Sequence, residues 1–169
     1  MPGQAVGAPD VLAVFDLLAG AGVEAWVDGG WGVDALVGAV TRTHSDVDLV
    51  VPLPAVDRAL SALAAAGYAG VLRDWRPTAV AVADQRGCEV DLHLVTPAPD
   101  GGGDQALPDG GSFHYPPPIA GTVGGRAVRC VDALTQVRAH LGYPPTAKDH
   151  TDLRLLRDRL GVDLPPPYA

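Results

Sequence analysis

Two stretches of this chain alternate acidic and apolar residues: Asp46-Val47-Asp48-Leu49-Val50-Val51 and Glu89-Val90-Asp91-Leu92-His93-Leu94. Successive side chains of a β-strand point to opposite faces. Read as strands, the segments put Val47, Leu49 and Val51 with Val90, Leu92 and Leu94 on one face. Asp46, Asp48, Glu89, Asp91 and His93 then share the other. The chain is thereby constrained to a sheet with one apolar and one acidic face. If the two strands are neighbours, Asp46, Asp48 and Asp91 meet.

Such a meeting is unfavourable without a counter-charge. Two carboxylates about 4 Å apart repel by roughly 4 kcal/mol at an effective dielectric near 20. A hard divalent cation removes that repulsion. Oxygen donors without Cys or His favour Mg²⁺ or Mn²⁺ over Zn²⁺. Mg²⁺ commonly takes one or two carboxylates and completes its shell with substrate phosphates. Asp46, Asp48 and Asp91 are therefore the candidate metal ligands, and a nucleoside triphosphate carrying the ion is the expected co-substrate.

Upstream lies Asp28-Gly29-Gly30-Trp31, followed by a short helical pattern. A Gly-Gly turn at a strand end lets backbone N–H groups approach an anion, and the next helix adds its N-terminal dipole. Gly29 and Gly30 are the candidate phosphate-binding residues, with Trp31 beside them in the nucleotide site as core or cleft-wall packing. Arg42 and His44 just precede the acids and could meet the same triphosphate; Lys148 is a further candidate cation. Each feature alone has a plain structural reading: an Asp pair on a surface strand, a tight turn, a solvated loop, a surface lysine. The functional reading comes from their order: glycine turn, D-x-D on a strand, third Asp on a later strand.

The remaining pattern predicts helices over 10–20, 31–38, 55–66, 132–141 and 147–160, and strands over 23–28, 46–51, 69–75 and either side of 85–87. A hairpin should turn at Gly124 and Gly125. Residues 97–118, crowded with Gly, Pro and Asp, read as a long loop, and the final "PPPYA" as an extended tail. The expected fold class is α/β (α+β): a small mixed sheet with helices on one face, plus C-terminal helices. One domain of 169 residues is expected, with its core over about 10–95, the long loop 97–118, and a hairpin and helical part over 119–160.

Composition narrows the partners. Hydrophobic residues at 47% suit a globular chain. Twelve basic against twenty acidic residues give a net charge of -8, which argues against a nucleic-acid binder and suits a cationic small molecule. Cys88 and Cys130 lack the spacing of a zinc site and read as buried thiols. With neither a basic leader nor an apolar run near the ~18 residues of a membrane span, the expected location is cytoplasmic and no membrane partner is expected.

"DGGWGVDAL" followed by "TRTHSDVDL" resembles the small antibiotic nucleotidyltransferases of the DNA polymerase beta-like nucleotidyltransferase superfamily, the lincosamide branch more closely than the aminoglycoside branch. "VDLHLV", "LPDGGSFHY" and "GGRAVRCVDA" extend the resemblance over roughly residues 10–160. It implies a nucleotidyltransferase fold in which Asp46 and Asp48 bind two Mg²⁺ ions with the nucleotide. It also implies that Asp91 completes the site and activates the acceptor hydroxyl, and that Gly29 and Gly30 contact phosphates. Gly30 occupies a position that is usually serine in the wider superfamily, a departure shared with the antibiotic branch.

The implied reaction is transfer of a nucleoside monophosphate, AMP from ATP first, to a hydroxyl of a small, cationic antibiotic-type acceptor, releasing pyrophosphate. Three alternatives stay open: a degenerate module binding a protein partner, a nucleotidyltransferase acting on a protein or RNA, and a metal-dependent glycosyltransferase. A homodimer is also left open. The loop acids Asp100, Asp104 and Asp109, with Phe113, His114 and Tyr115, are the expected acceptor contacts.

Overall fold

The computed structural model describes residues 4–169. Helix α1 (Ala8–Gly20) leads into strand β1 (Trp26–Asp28), α2 (Gly29–Val37) and β2 (Asp46–Pro52). After a 3-10 turn at Leu53–Ala55 come α3 (Val56–Ala65), β3 (Gly70–Trp75), β4 (Ala79–Ala83) and β5 (Glu89–Pro97). Four short strands follow: β6 (Gly103–Ala106), β7 (Ser112–Tyr115), β8 (Ile119–Val123) and β9 (Arg126–Cys130). Helices α4 (Ala133–Ala139) and α5 (Ala147–Leu160) close the chain.

The strands run in the order β3-β4-β5-β2-β1-β9-β8, with β6 pairing β5 and β7. The expected neighbours are neighbours: β2 and β5 are parallel, with Asp46 opposite Glu89 and Asp48 opposite Asp91. On its other side β2 is antiparallel to β1, with Asp28 opposite Asp48. Because the side-chain period is two, this register fixes every face. Val47, Leu49, Val51, Val90, Leu92 and Leu94 all enter the main core, where they meet α1 through Val11, Val14 and Leu18 and α3 through Ala59 and Leu63. Each such aliphatic side chain contributes about 1.5–3 kcal/mol on burial. That apolar face holds the acid face in place.

A second, smaller cluster lies on the acid face itself. Trp26, Val50, Val95, Tyr115 and Val131 pack there, with Phe113 against them. A third joins Val33 of α2 to Val137 of α4 and to Leu153 and Leu156 of α5. Thr146 caps α5 by accepting from the Asp149 amide, the Asp149 carboxylate in turn accepts from the Thr146 amide, and left-handed Gly161 ends the helix.

Several sequence expectations need correction. Among the described residues the mixed sheet has nine strands, of which β6 and β7 are unexpected. Residues 97–118 are not a loop: β6 and β7 form an antiparallel hairpin over them, with Asp104 opposite His114. The Gly and Pro residues there serve tight turns, such as the one closed by Gly110 N–H donating to the Leu107 carbonyl at 3.0 Å. The Gly-Gly pair is not a turn before a helix but the first turn of α2 itself. The expected C-terminal helices are present, and α4 borders the acid face through Gln136. The C-terminal tail is not extended: Tyr168 is buried, its amide turns back to the Pro165 carbonyl and its hydroxyl donates to the His140 carbonyl.

Candidate active site

The acid row forms as the register dictates. Asp48 and Asp91 lie side by side on β2 and β5, and His93, two residues further along β5, faces the same way. His93 Nε2 is 3.2 Å from Asp48 Oδ1. One ligand atom each from Asp48, Asp91 and His93 can be chosen so that all lie within 4.8 Å of one another. Asp46 shares the face but stands outside this compact set, one register step along, opposite Glu89. Arg73 of β3 pairs with Glu89 and reaches Asp91 at 3.5 Å.

Electrostatics mark the row as strained by like charge. Burial, reinforced by the charge of Asp48, pushes Asp46 up to about 6. Asp91 is also raised, first by burial; His93 opposes that rise and Asp48 adds to it. For His93, burial works against the charge, but the hydrogen bond it donates to Asp48 and the charges of Asp28, Asp48 and Asp91 outweigh it and lift the imidazole to about 9. The ring is thus a cation beside the carboxylates at neutral pH.

A fourth acid was missed in the sequence. Asp28, 5% exposed, ends β1 opposite Asp48. Tyr115 Oη donates to its Oδ2 at 3.2 Å and Gln136 Nε2 to its Oδ1 at 3.1 Å. Burial raises its pKa, the charge of His93 opposes the rise and that of Asp48 adds to it. The signal was available: in Trp26-Val27-Asp28 the alternation sets Asp28 on the face of Trp26, immediately before the glycines. Beside this group opens a cavity of about 220 Å³ lined by Asp28, Asp48, His93, Tyr115, Gln136 and Tyr143, among others. A neighbouring cavity of about 330 Å³ shares His93, Tyr115 and Ala139 and adds Leu107, Phe113 and Arg138.

The start of α2 borders the same row. Gly29 sits at φ 58°, and a Cβ there would run into the Asp48 carboxylate. A glycine is therefore required both by backbone conformation and by the close approach of an acid. Gly30 has no positive φ; a Cβ there would meet Arg42 and His44 instead. Lys148 is exposed in the first turn of α5, and its positive charge acts on Asp46.

Arg42, His44 and Trp31 depart from expectation. His44 is 3% exposed and bonds through Nε2 to buried Asp34 at 2.5 Å, so its ring is not presented to a triphosphate. Asp34 also accepts from the Thr41 amide and hydroxyl. Arg42 grips Asp152 of α5 with two bonds, at 2.8 and 2.9 Å. Its guanidinium lies against Gly30, so it borders the helix start while being held by a carboxylate. Trp31 is buried and lies 4.5 Å from the His44 ring, centroid to centroid; of the two packing roles expected it takes the core one and is not presented to a nucleotide.

A family model described as aminoglycoside-2''-adenylyltransferase matches residues 10–156. The chain belongs to that family. It is 28% identical over 150 residues to the lincosamide resistance protein of Staphylococcus haemolyticus, spanning 88% of this chain and 92% of that one. Its fold matches the lincomycin-bound crystal structure of the lincosamide antibiotic adenylyltransferase LnuA with a TM-score of 0.81 and 28% identity, over 91% of this chain and 98% of that one. ANT(2'')-Ia in complex with adenylyl-2''-tobramycin matches with a TM-score of 0.70 at 19% identity, over 91% and 89%, which supports the fold alone. The protein is thus an antibiotic nucleotidyltransferase family member with a nucleotidyltransferase fold. Among the described residues no helix is long and apolar enough to cross a membrane.

Proposed function

We propose that this protein transfers a nucleoside monophosphate, AMP from ATP, to a hydroxyl of a small antibiotic-type acceptor and releases pyrophosphate. One observation carries the reading: Asp48 and Asp91 are paired across β2 and β5, with Asp46 on the same face and the N-terminus of α2 directly against them. Asp48 and Asp91 offer oxygens close enough for a hard divalent ion such as Mg²⁺, with Asp46 on the same face one register step along, and the raised acids of the row are what such ions would relieve. When bound, two such ions would offset charge on the triphosphate and favour ionisation of the attacking hydroxyl.

The chain's own residues supply the remainder. The first turn of α2, opened by Gly29, offers backbone N–H groups to phosphate oxygens. Lys148 adds positive charge at the Asp46 end. Asp91 takes the proton of the acceptor hydroxyl. Tyr115 and Gln136 hold Asp28 and so shape the cavity wall beside Asp48. Phosphoryl chemistry asks little more than such positioning and electrostatics.

The acceptor would occupy the paired cavities beside His93. Their walls combine Phe113, Tyr115, Leu107 and Ala139 with Arg138, whose guanidinium lies 5.0 Å over the Phe113 ring. The hairpin acids are already engaged: Asp100 and Asp104 bond His114 at 2.8 and 2.7 Å, and Asp109 caps the Gly111 amide. An aromatic wall carrying one arginine suits a lincosamide-type acceptor with an apolar face better than a polycationic aminoglycoside. The near full-length likeness to the lincosamide resistance protein supports the same choice.

A pyrophosphate-release screen with ATP, GTP, CTP and UTP against lincosamides, aminoglycosides and small hydroxylated metabolites tests this. The expected result is release with ATP and a lincosamide, and a product heavier by one nucleoside monophosphate. Release with no small acceptor, but with a protein or RNA, overturns the acceptor class. Release under no condition leaves the degenerate module as the reading.

A further inference from the structure

We infer that His93 is a nitrogen ligand to the divalent ion held by Asp48 and Asp91, giving the chain a mixed site of two carboxylates and one imidazole. The inference rests on the metal-dependent reading above and adds to it a ligand and a metal preference.

The placement follows from the sheet. Asp91 and His93 are two apart on β5 and face the same way, and the parallel register brings Asp48 opposite Asp91. The three side chains can each offer a ligand atom within 4.8 Å of the others, and Asp46 does not join that set. Bonds of about 2.0–2.2 Å to one ion would draw such atoms to within roughly 4 Å of each other, which small side-chain rotations supply. The ring is open to a ligand: its side chain is 27% exposed and lines the cavity beside Asp28 and Asp48. Its neighbour at 3.2 Å is the Asp48 carboxylate, so an ion entering between them takes the place of the proton that Nε2 shares with Asp48, and that proton leaves to solvent.

Ligand chemistry then sets the preference. Oxygen-only sets suit Mg²⁺, while imidazole favours first-row transition ions. Exchanging one oxygen for the His93 nitrogen shifts this site towards Mn²⁺. Asp46, outside the compact set and nearer the charge of Lys148, is left for an ion arriving with the triphosphate.

The test uses the full chain with Mn²⁺ and inorganic triphosphate, which carries no nitrogen. Electron spin echo of the bound Mn²⁺ should show nitrogen modulation in the wild type, and the modulation should change when histidine alone is ¹⁵N-labelled. In His93→Gln it should vanish, Mn²⁺ affinity by water-proton relaxation should fall about tenfold or more, and Mg²⁺ affinity should change less. A wild-type echo insensitive to the histidine label, or unchanged Mn²⁺ affinity in a folded His93→Gln, overturns the histidine assignment and leaves the carboxylate site standing. Failure of the wild type to bind either ion overturns both.

Discussion

Within the seven residues from Arg42 to Asp48, two kinds of polar group look alike in sequence and behave oppositely in the fold. Arg42 and His44 are each answered by a carboxylate: Asp152 grips the guanidinium, and Asp34 takes the imidazole along with both donors of Thr41. Asp46 and Asp48 face more acids, Glu89 and Asp91, across the parallel register. The first half satisfies itself and anchors the chain between α2 and α5. The second half accumulates like charge that the fold relieves only in part, through His93 and Arg73. Buried polar groups are ordinarily paired, and it is the half left in conflict to which the proposed function assigns a ligand.

The largest effect expected from breaking this contrast is on turnover. Asp48→Asn should reduce nucleotidyl transfer by about 10²–10³-fold or more, without lowering the melting temperature, since it removes one member of a repelling set. Steady-state pyrophosphate release and thermal melts check it together. Near-normal turnover would mean that the unpaired half is merely surface charge.

The converse variant tests the satisfied half. Asp34→Ala strands buried His44 and the donors of Thr41, which should cost about 3–5 kcal/mol in urea unfolding. A loss under ~1 kcal/mol would show that this cluster is not an anchor. The expected signs are opposite: the conflicted acid tolerates neutralisation and the answered one does not.

The smallest effect is a pH-dependent one. Folded Asp46 keeps its proton up to about pH 6, against an ordinary aspartate value of 3.8. Between those values the folded state holds more protons than the unfolded state, so the wild type loses stability as pH rises through that window. Asp46→Asn does not titrate. Its melting temperature relative to the wild type, measured without metal, should therefore rise from pH 3.8 to pH 6 and then level off. A difference that stays flat would remove the like-charge argument from Asp46.

The acid face was legible because alternation is a local signal: Asp46, Asp48 and Asp91 declare their face through the valines and leucines between them. The same alternation gives the face of Asp28 but not its partners, because Tyr115 and Gln136 lie 87 and 108 residues away and are brought to it only by the hairpin and α4. The hairpin was hidden by composition. Its strands are four residues each, and the glycines that tighten its turns are the same residues that suggest a loop. Arg42 and His44 were assigned to phosphate from proximity in sequence, whereas Asp34 and Asp152 sit on helices whose packing the sequence does not state.

The central claim, that the conflicted acids of β2 and β5 await a metal–nucleotide complex, is tested most directly by calorimetric titration of ATP into the protein. The titration is run with Mg²⁺ or Mn²⁺ present, and again in EDTA. The account predicts binding with either ion, weakened about tenfold or more in EDTA because the carboxylates then repel the triphosphate. Equal affinity with and without the ion, or no binding in either case, would contradict it.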